Sequence, residues 1–160
     1  MTKQDMENVS DCGPSAVSRA TGRTIAEVKA VWPGGWKDRQ DIRDDINDWP
    51  DDHRLAVEAL GMATRTVTLS QILDGSVPVD RTVVLVHFGH MAKHWVVYAG
   101  RQGESYGFHW GNGQIRWFPR EDVVEMFTRS FPNCAYMVVD YSPERVPWYR
   151  RLLGWFARWW

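Results

Sequence analysis

A cysteine stands directly before a run of residues that is typical of a helix. Cys12 is followed by Gly13 and Pro14, and proline fits a first helical turn because its missing N–H would have no partner there. Small and apolar side chains then recur at helical spacing until Thr21-Gly22 ends the run. The pattern predicts Cys12 at the positive end of a helix dipole, where backbone N–H groups stabilise a thiolate or an oxyanion. Such a cysteine is suited to nucleophilic attack; the structural alternative is a small buried side chain.

A nucleophilic cysteine needs a base within hydrogen-bond reach and a further group that orients the base. His94 is the predicted base, because it begins an apolar strand just after a turn, where a side chain can face a cleft. Asn112 and His109 both qualify as the orienting group, although Asn112 is also typical of a Gly-Asn-Gly hairpin turn. His53 lies in a charged helical segment and is predicted to be exposed to solvent.

Three of the five histidines are close together in the sequence, which raises the question of a metal site. His87, His90 and His94 lie on the two sides of a predicted turn. This spacing is not that of a compact zinc site, and no carboxylate or thiol accompanies the three imidazoles. The sequence therefore predicts neither a metal ion nor another cofactor.

The elements that position these residues change their hydrophobic period along the chain. Helical patterns come first, at 13–21, 24–32, 38–49 and 52–60. Strand patterns dominate afterwards and cover 63–69, 81–88, 94–100, 106–110, 114–118 and 134–141. Among them are one helical turn at 70–73 and one helix at 119–129. Thr24 and Glu27 have the spacing of a capping box. Helices followed by a mostly antiparallel sheet indicate an α+β fold.

The length, net charge and composition of the chain exclude several classes of protein. A chain of 160 residues with a net charge of −1 is typical of one main domain and gives no indication of nucleic-acid binding. Two cysteines, Cys12 and Cys134, cannot build a disulfide framework. The first residues lack the apolar core of a secretory signal, and no apolar run is long enough to span a membrane. A cytoplasmic protein is the simplest interpretation.

Two segments carry a resemblance to a known family: Asp11-Cys12-Gly13-Pro14-Ser15-Ala16 and His94-Trp95-Val96-Val97-Tyr98. They resemble the papain-like cysteine peptidases of the bacteriocin-processing type, peptidase family C39. In that family a Cys-Gly-Pro segment opens the central helix, and a histidine starts the strand that carries the base. The resemblance covers roughly residues 4–141 and implies a papain-like fold with N-terminal helices packed on the sheet.

The resemblance also implies a mechanism. Cys12 would attack a carbonyl group as a thiolate, and His94 would take its proton and later protonate the leaving amine. The family's Asp-Pro turn is absent, and either Asn112 or His109 stands in that region as the third member. The family's oxyanion-hole glutamine corresponds best to Gln4, which lies farther from the cysteine than the family pattern has it. The expected function is hydrolysis of a peptide or isopeptide bond in a peptide or protein substrate.

A composition shift at Pro143 divides the chain into a domain at 1–142 and a tail at 143–160. The tail is basic and rich in tryptophan, and as a helix it would carry arginines on one face and aromatic side chains on the other. Its predicted partner is the protein's own surface, a membrane interface or a groove of another protein, reached through Trp148–Trp160. The alternative function is therefore a papain-like fold of weak activity that acts as a binding module or membrane-associated effector through this helix.

Overall fold

The computed structural model describes residues 11–36, 50–86, 94–111, 113–128 and 134–140. Within these ranges the helices are α1 (Cys12–Thr21), α2 (Ile25–Ala30), α3 (Pro50–Ala59), α4 (Leu69–Leu73) and α5 (Arg120–Thr128). The strands are β1 (Met62–Thr66), β2 (Thr82–Val86), β3 (His94–Gln102), β4 (Ser105–His109), β5 (Ile115–Pro119) and β6 (Ala135–Asp140). The predicted helix at 38–49 and the tail at 143–160 lie outside the described residues.

All the strands belong to one six-stranded sheet in the order β1-β6-β2-β3-β4-β5. Every neighbouring pair is antiparallel. The helices α1, α2 and α3 bury their apolar side chains against one face of the sheet, and α4 and α5 cover the other. The predicted α+β fold, with N-terminal helices packed on a mostly antiparallel sheet, is confirmed.

The position of β2 inside the sheet explains why apolar and polar residues do not alternate in its sequence. Each of its five residues is buried. Val83 and Leu85 pack with α1 and α3 on one face, whereas Val84 and Val86 pack with α4 and α5 on the other. A strand covered on both faces is apolar throughout, as the sequence predicted for this segment.

Local capping chemistry sets the beginnings of two helices. Thr24 accepts a hydrogen bond from the Glu27 backbone N–H while Glu27 accepts one from the Thr24 N–H, so the predicted capping box is confirmed. A second capping box, Thr68 with Gln71, begins α4. The helix α1 ends at Gly22, whose φ of 71° is the left-handed conformation that favours glycine.

The prediction for His53 is wrong. Its side chain is fully buried instead of exposed. The ring lies against Trp95 with a centroid distance of 4.0 Å, and Nδ1 is 2.6 Å from the Tyr136 hydroxyl. The charged neighbours of His53 lie on the outer side of α3, so the charged composition of the segment gave no indication that this one position is buried.

No helix among the described residues is long and apolar enough to cross a membrane.

Candidate active site

Cys12 is the first residue of α1, and it is only 6% exposed. Its helix packs on β3, and Cys12 belongs to the same buried cluster as Trp95 and Val97 of that strand. The Asp11 carbonyl oxygen accepts the Ser15 N–H at 2.9 Å, which is the first hydrogen bond of the helix. The predicted placement of the cysteine at a helix start is therefore confirmed, and the sheet fixes the direction of that helix.

A cavity of about 400 Å³ lies between one side of α1 and the strands β3 and β4. Cys12 lines it at the first turn of the helix, and Arg19 and Arg23 line it farther along. From the sheet side come Trp95, Val97, His109, Gly111 and Gly113. The cysteine thus borders a space large enough to hold part of a peptide, in which main-chain and charged groups are both present.

His94, the predicted base, begins β3 and is 5% exposed. Its Nε2 lies 3.4 Å from the backbone carbonyl oxygen of Trp110, and the two rings are 5.1 Å apart between centroids. His94 is not among the described residues that line the cavity, but it lies beside Gly111, which does; a Cβ at Gly111 would be 3.9 Å from the His94 Cε1. A side chain larger than hydrogen at Gly111 would also be strained, since its φ is 87°.

His109 lines the same cavity as Cys12. It stands directly opposite Val97 in the β3–β4 register, which places it on the cavity face of the sheet. Its Nε2 is 2.6 Å from the Asp80 carboxylate, and Arg19 Nη1 is 3.7 Å from the same carboxylate oxygen. The carboxylate orients the His109 ring, whereas the His94 ring lies against the Trp110 carbonyl oxygen.

Sequence reasoning missed Asp80. It precedes the buried strand β2 in a loop, and its backbone is left-handed with a φ of 60°. No other non-glycine residue in the described ranges has a positive φ. The only sequence signal was an acidic residue just before a predicted central strand. Nothing in the local sequence relates Asp80 to His109, which comes 29 residues later.

Several predicted site residues lie where the structure gives no description. Gln4 and Asn112, the expected oxyanion donor and one of the two expected orienting groups, are outside the described residues, as are His87 and His90. Among the residues that are described, no group of three or more histidine, cysteine or acidic side chains has the arrangement of a metal site.

No protein-family model and no curated protein sequence matches the chain. The structure is similar to a solved one, the peptidase domain of Streptococcus ComA, a bifunctional ABC transporter involved in a quorum-sensing pathway. The TM-score is 0.61 at 16% sequence identity, and the alignment covers 82% of this chain and 93% of that domain. At this identity the likeness concerns the fold, and the chain shares the α+β architecture of this peptidase domain.

Proposed function

We propose that this protein is a cysteine hydrolase that cleaves a peptide or isopeptide bond, with Cys12 as its nucleophile. One observation carries the proposal: Cys12 begins a helix and at the same time lines a cavity of about 400 Å³. A purely structural cysteine has no need of a cavity beside it, whereas a nucleophile needs room for the acyl group that it attacks. The likeness of the fold to a peptidase domain supports the same conclusion.

We assign the steps of the proposed reaction to the residues that the sequence predicted for them. The Cys12 thiolate attacks the carbonyl carbon of the substrate, and the negative charge that develops on oxygen is stabilised by backbone N–H groups at the start of α1. Gln4 is the proposed side-chain donor to the same oxygen. His94 takes the thiol proton and returns it to the leaving amine, and water then releases the acyl group from the sulfur.

The Trp110 carbonyl oxygen is the proposed acceptor that fixes the tautomer of His94. When the Nε2–H donates to this carbonyl, Nδ1 is left as the basic nitrogen. The separation of 3.4 Å is long for a hydrogen bond, and bonds of this kind commonly tighten when substrate binds. Asn112 and His109 stay in the proposal as further orienting groups.

The test is the pH dependence of alkylation of Cys12 in the full chain, with Cys134 replaced by Ala because it is the second cysteine. We expect a Cys12 pKa well below the free-thiol value of about 8.5, and we expect His94→Ala to raise it. His109→Ala measures the contribution of a further orienting group, and we expect it to raise the pKa of Cys12 less than His94→Ala does, because the His109 ring is paired with a carboxylate. A pKa near the free value that does not respond to His94→Ala would make Cys12 a structural residue.

A further inference from the structure

Asp11 occupies the N-cap position of α1, directly before Cys12. Aspartate is among the most favourable N-cap residues, because its carboxylate normally accepts a hydrogen bond from the second or third N–H of the helix. The Asp11 side chain makes no such bond. Its backbone, with φ −111° and ψ 19°, also differs from the extended conformation that is usual at this position.

The Asp11 carboxylate is bound elsewhere. Its Oδ2 accepts a hydrogen bond from Lys29 Nζ of α2 at 2.9 Å, and its Oδ1 accepts one from Trp36 Nε1 at 3.1 Å. The Trp36 ring is itself fixed edge-on against the buried Trp32, with centroids 5.1 Å apart. Both oxygens are therefore held by residues that follow α1 in the chain, and a cation neutralises their charge.

The alternative position of this carboxylate would compete with the proposed chemistry. Pro14 is the third helical residue and has no N–H, so a capping carboxylate would have to take the N–H of Gly13. That would occupy one of the first two backbone donors of the helix. It would also place a negative charge beside the sulfur, and both effects disfavour a thiolate and an oxyanion.

We propose that Asp11 is a positioning residue, which Lys29 and Trp36 hold away from the start of α1 so that the N–H groups of Cys12 and Gly13 serve the thiolate and the oxyanion. The inference rests on the proposed function of Cys12 and adds a control on its reactivity. Among the described residues, the other charged and titratable groups in or beside the cavity are Arg19, Arg23, His94 and the His109–Asp80 pair. They come from the sheet side of the site, from farther along α1 or, for Arg23, from just beyond its end, and they are left unchanged in the test.

The experiment measures the rate of Cys12 alkylation against pH in the full chain with Cys134→Ala. Trp36→Phe removes one donor to Asp11 without a change of charge, and Lys29→Gln removes the other. We expect each variant to raise the pKa of Cys12 and to slow alkylation at mildly acidic pH by about threefold, which is the usual size of a single charge effect at a helix terminus. Lys29→Arg keeps the cation and is expected to react like the parent.

Asp11→Ala separates positioning from simple tethering of α1 to α2. Without a carboxylate at residue 11, the N-cap side chain cannot accept the Gly13 N–H. Trp36→Phe in this background is therefore expected to leave the alkylation rate unchanged. The inference is overturned if Trp36→Phe slows alkylation equally with and without Asp11, or if neither donor variant slows it although the parent pKa is low. A parent pKa near about 8.5 would instead overturn the proposed function itself.

Discussion

Asp80 shows how a single residue links backbone strain to the cavity. Its φ of 60° lies in the left-handed region, where an aspartate is tolerated better than most other non-glycine residues. Its backbone N–H donates to the Tyr98 carbonyl at 2.9 Å, and its carboxylate is 2.6 Å from His109. The loop is thus tied to two neighbouring strands at one residue, which is how the surrounding structure compensates the unfavourable conformation.

Replacing Asp80 tests these two contributions together. Asp80→Ala keeps the left-handed backbone with a side chain that disfavours it and also loses the bond to His109, so we expect a loss of about 1–2 kcal/mol in the free energy of unfolding. Asp80→Asn tolerates the conformation and keeps an acceptor, and the expected loss is less than half as large. Urea denaturation of the three proteins measures the difference. Equal losses for Ala and Asn would show that neither the backbone nor the acceptor matters.

The residue scale also shows where sequence reasoning succeeds. Cys12 was placed at a helix start because a Gly-Pro turn and helical periodicity are local signals. His53 was placed wrongly because its burial depends on Tyr136, which is 83 residues away in the chain. Asp80 was not found for the same reason, since its partner His109 comes from a strand that folds back beside it. Contacts between segments that are distant in the sequence cannot be recognised from the local pattern of residue types.

At the scale of elements, the capping box of α2 contains a titratable group, the Glu27 carboxyl. The pKa of Glu27 is lowered, chiefly by the hydrogen bond from the Thr24 backbone N–H and then by the bond from the Thr24 hydroxyl. A carboxyl group with a lowered pKa stabilises the folded state above its unfolded pKa, and this stabilisation is lost as the pH falls through the folded pKa. The helix that carries Lys29 should therefore weaken in acid.

Glu27→Gln tests this, because glutamine fits the same capping box but does not titrate. We expect the wild-type protein to be the more stable at about pH 6, and the difference in free energy of unfolding to shrink as the pH approaches about 3. The second capping box offers the reciprocal change, Gln71→Glu, which should add stability near neutral pH and lose it over the same acidic range. Urea midpoints at both pH values are the measurement, and a pH-independent difference for Glu27→Gln would contradict the prediction.

Element boundaries and element order were not equally predictable. The strands β2 and β6 and the hairpin of β4 and β5 lie within a residue or two of the predicted ranges, because apolar runs and glycine turns are local. The order of the strands was not predicted. The first strand, β1, pairs with the last, β6, and β6 then pairs with β2. These pairings join segments that are far apart in the sequence, so no local pattern reports them.

At the scale of the whole molecule, one aromatic cluster joins the helices to the sheet and to the cavity. The His53 ring lies 5.2 Å from Trp32, 4.0 Å from Trp95 and 5.6 Å from Tyr136 between centroids. Trp95 also lines the cavity beside Cys12. The same packing that holds α3 on the sheet therefore supports one wall of the proposed site, and the polar atoms within this cluster must be paired.

The bond between His53 and Tyr136 is a buried polar contact of this cluster, and Tyr136→Phe removes it with little change in volume. Both residues are buried and their atoms are 2.6 Å apart, so a ring nitrogen loses its partner in a place that water does not easily reach. We expect a loss of about 1–3 kcal/mol in the free energy of unfolding, measured by urea denaturation.

Tyr106→Phe is the matched control on the opposite face of the sheet. The Tyr106 hydroxyl donates to the Leu73 carbonyl at 3.0 Å in a partly buried position, where water can replace the lost hydroxyl. The expected cost of this substitution is about 1 kcal/mol or less. If Tyr136→Phe costs no more than Tyr106→Phe, the fold does not rely on the buried histidine bond, and apolar packing of the rings alone holds α3 against the sheet.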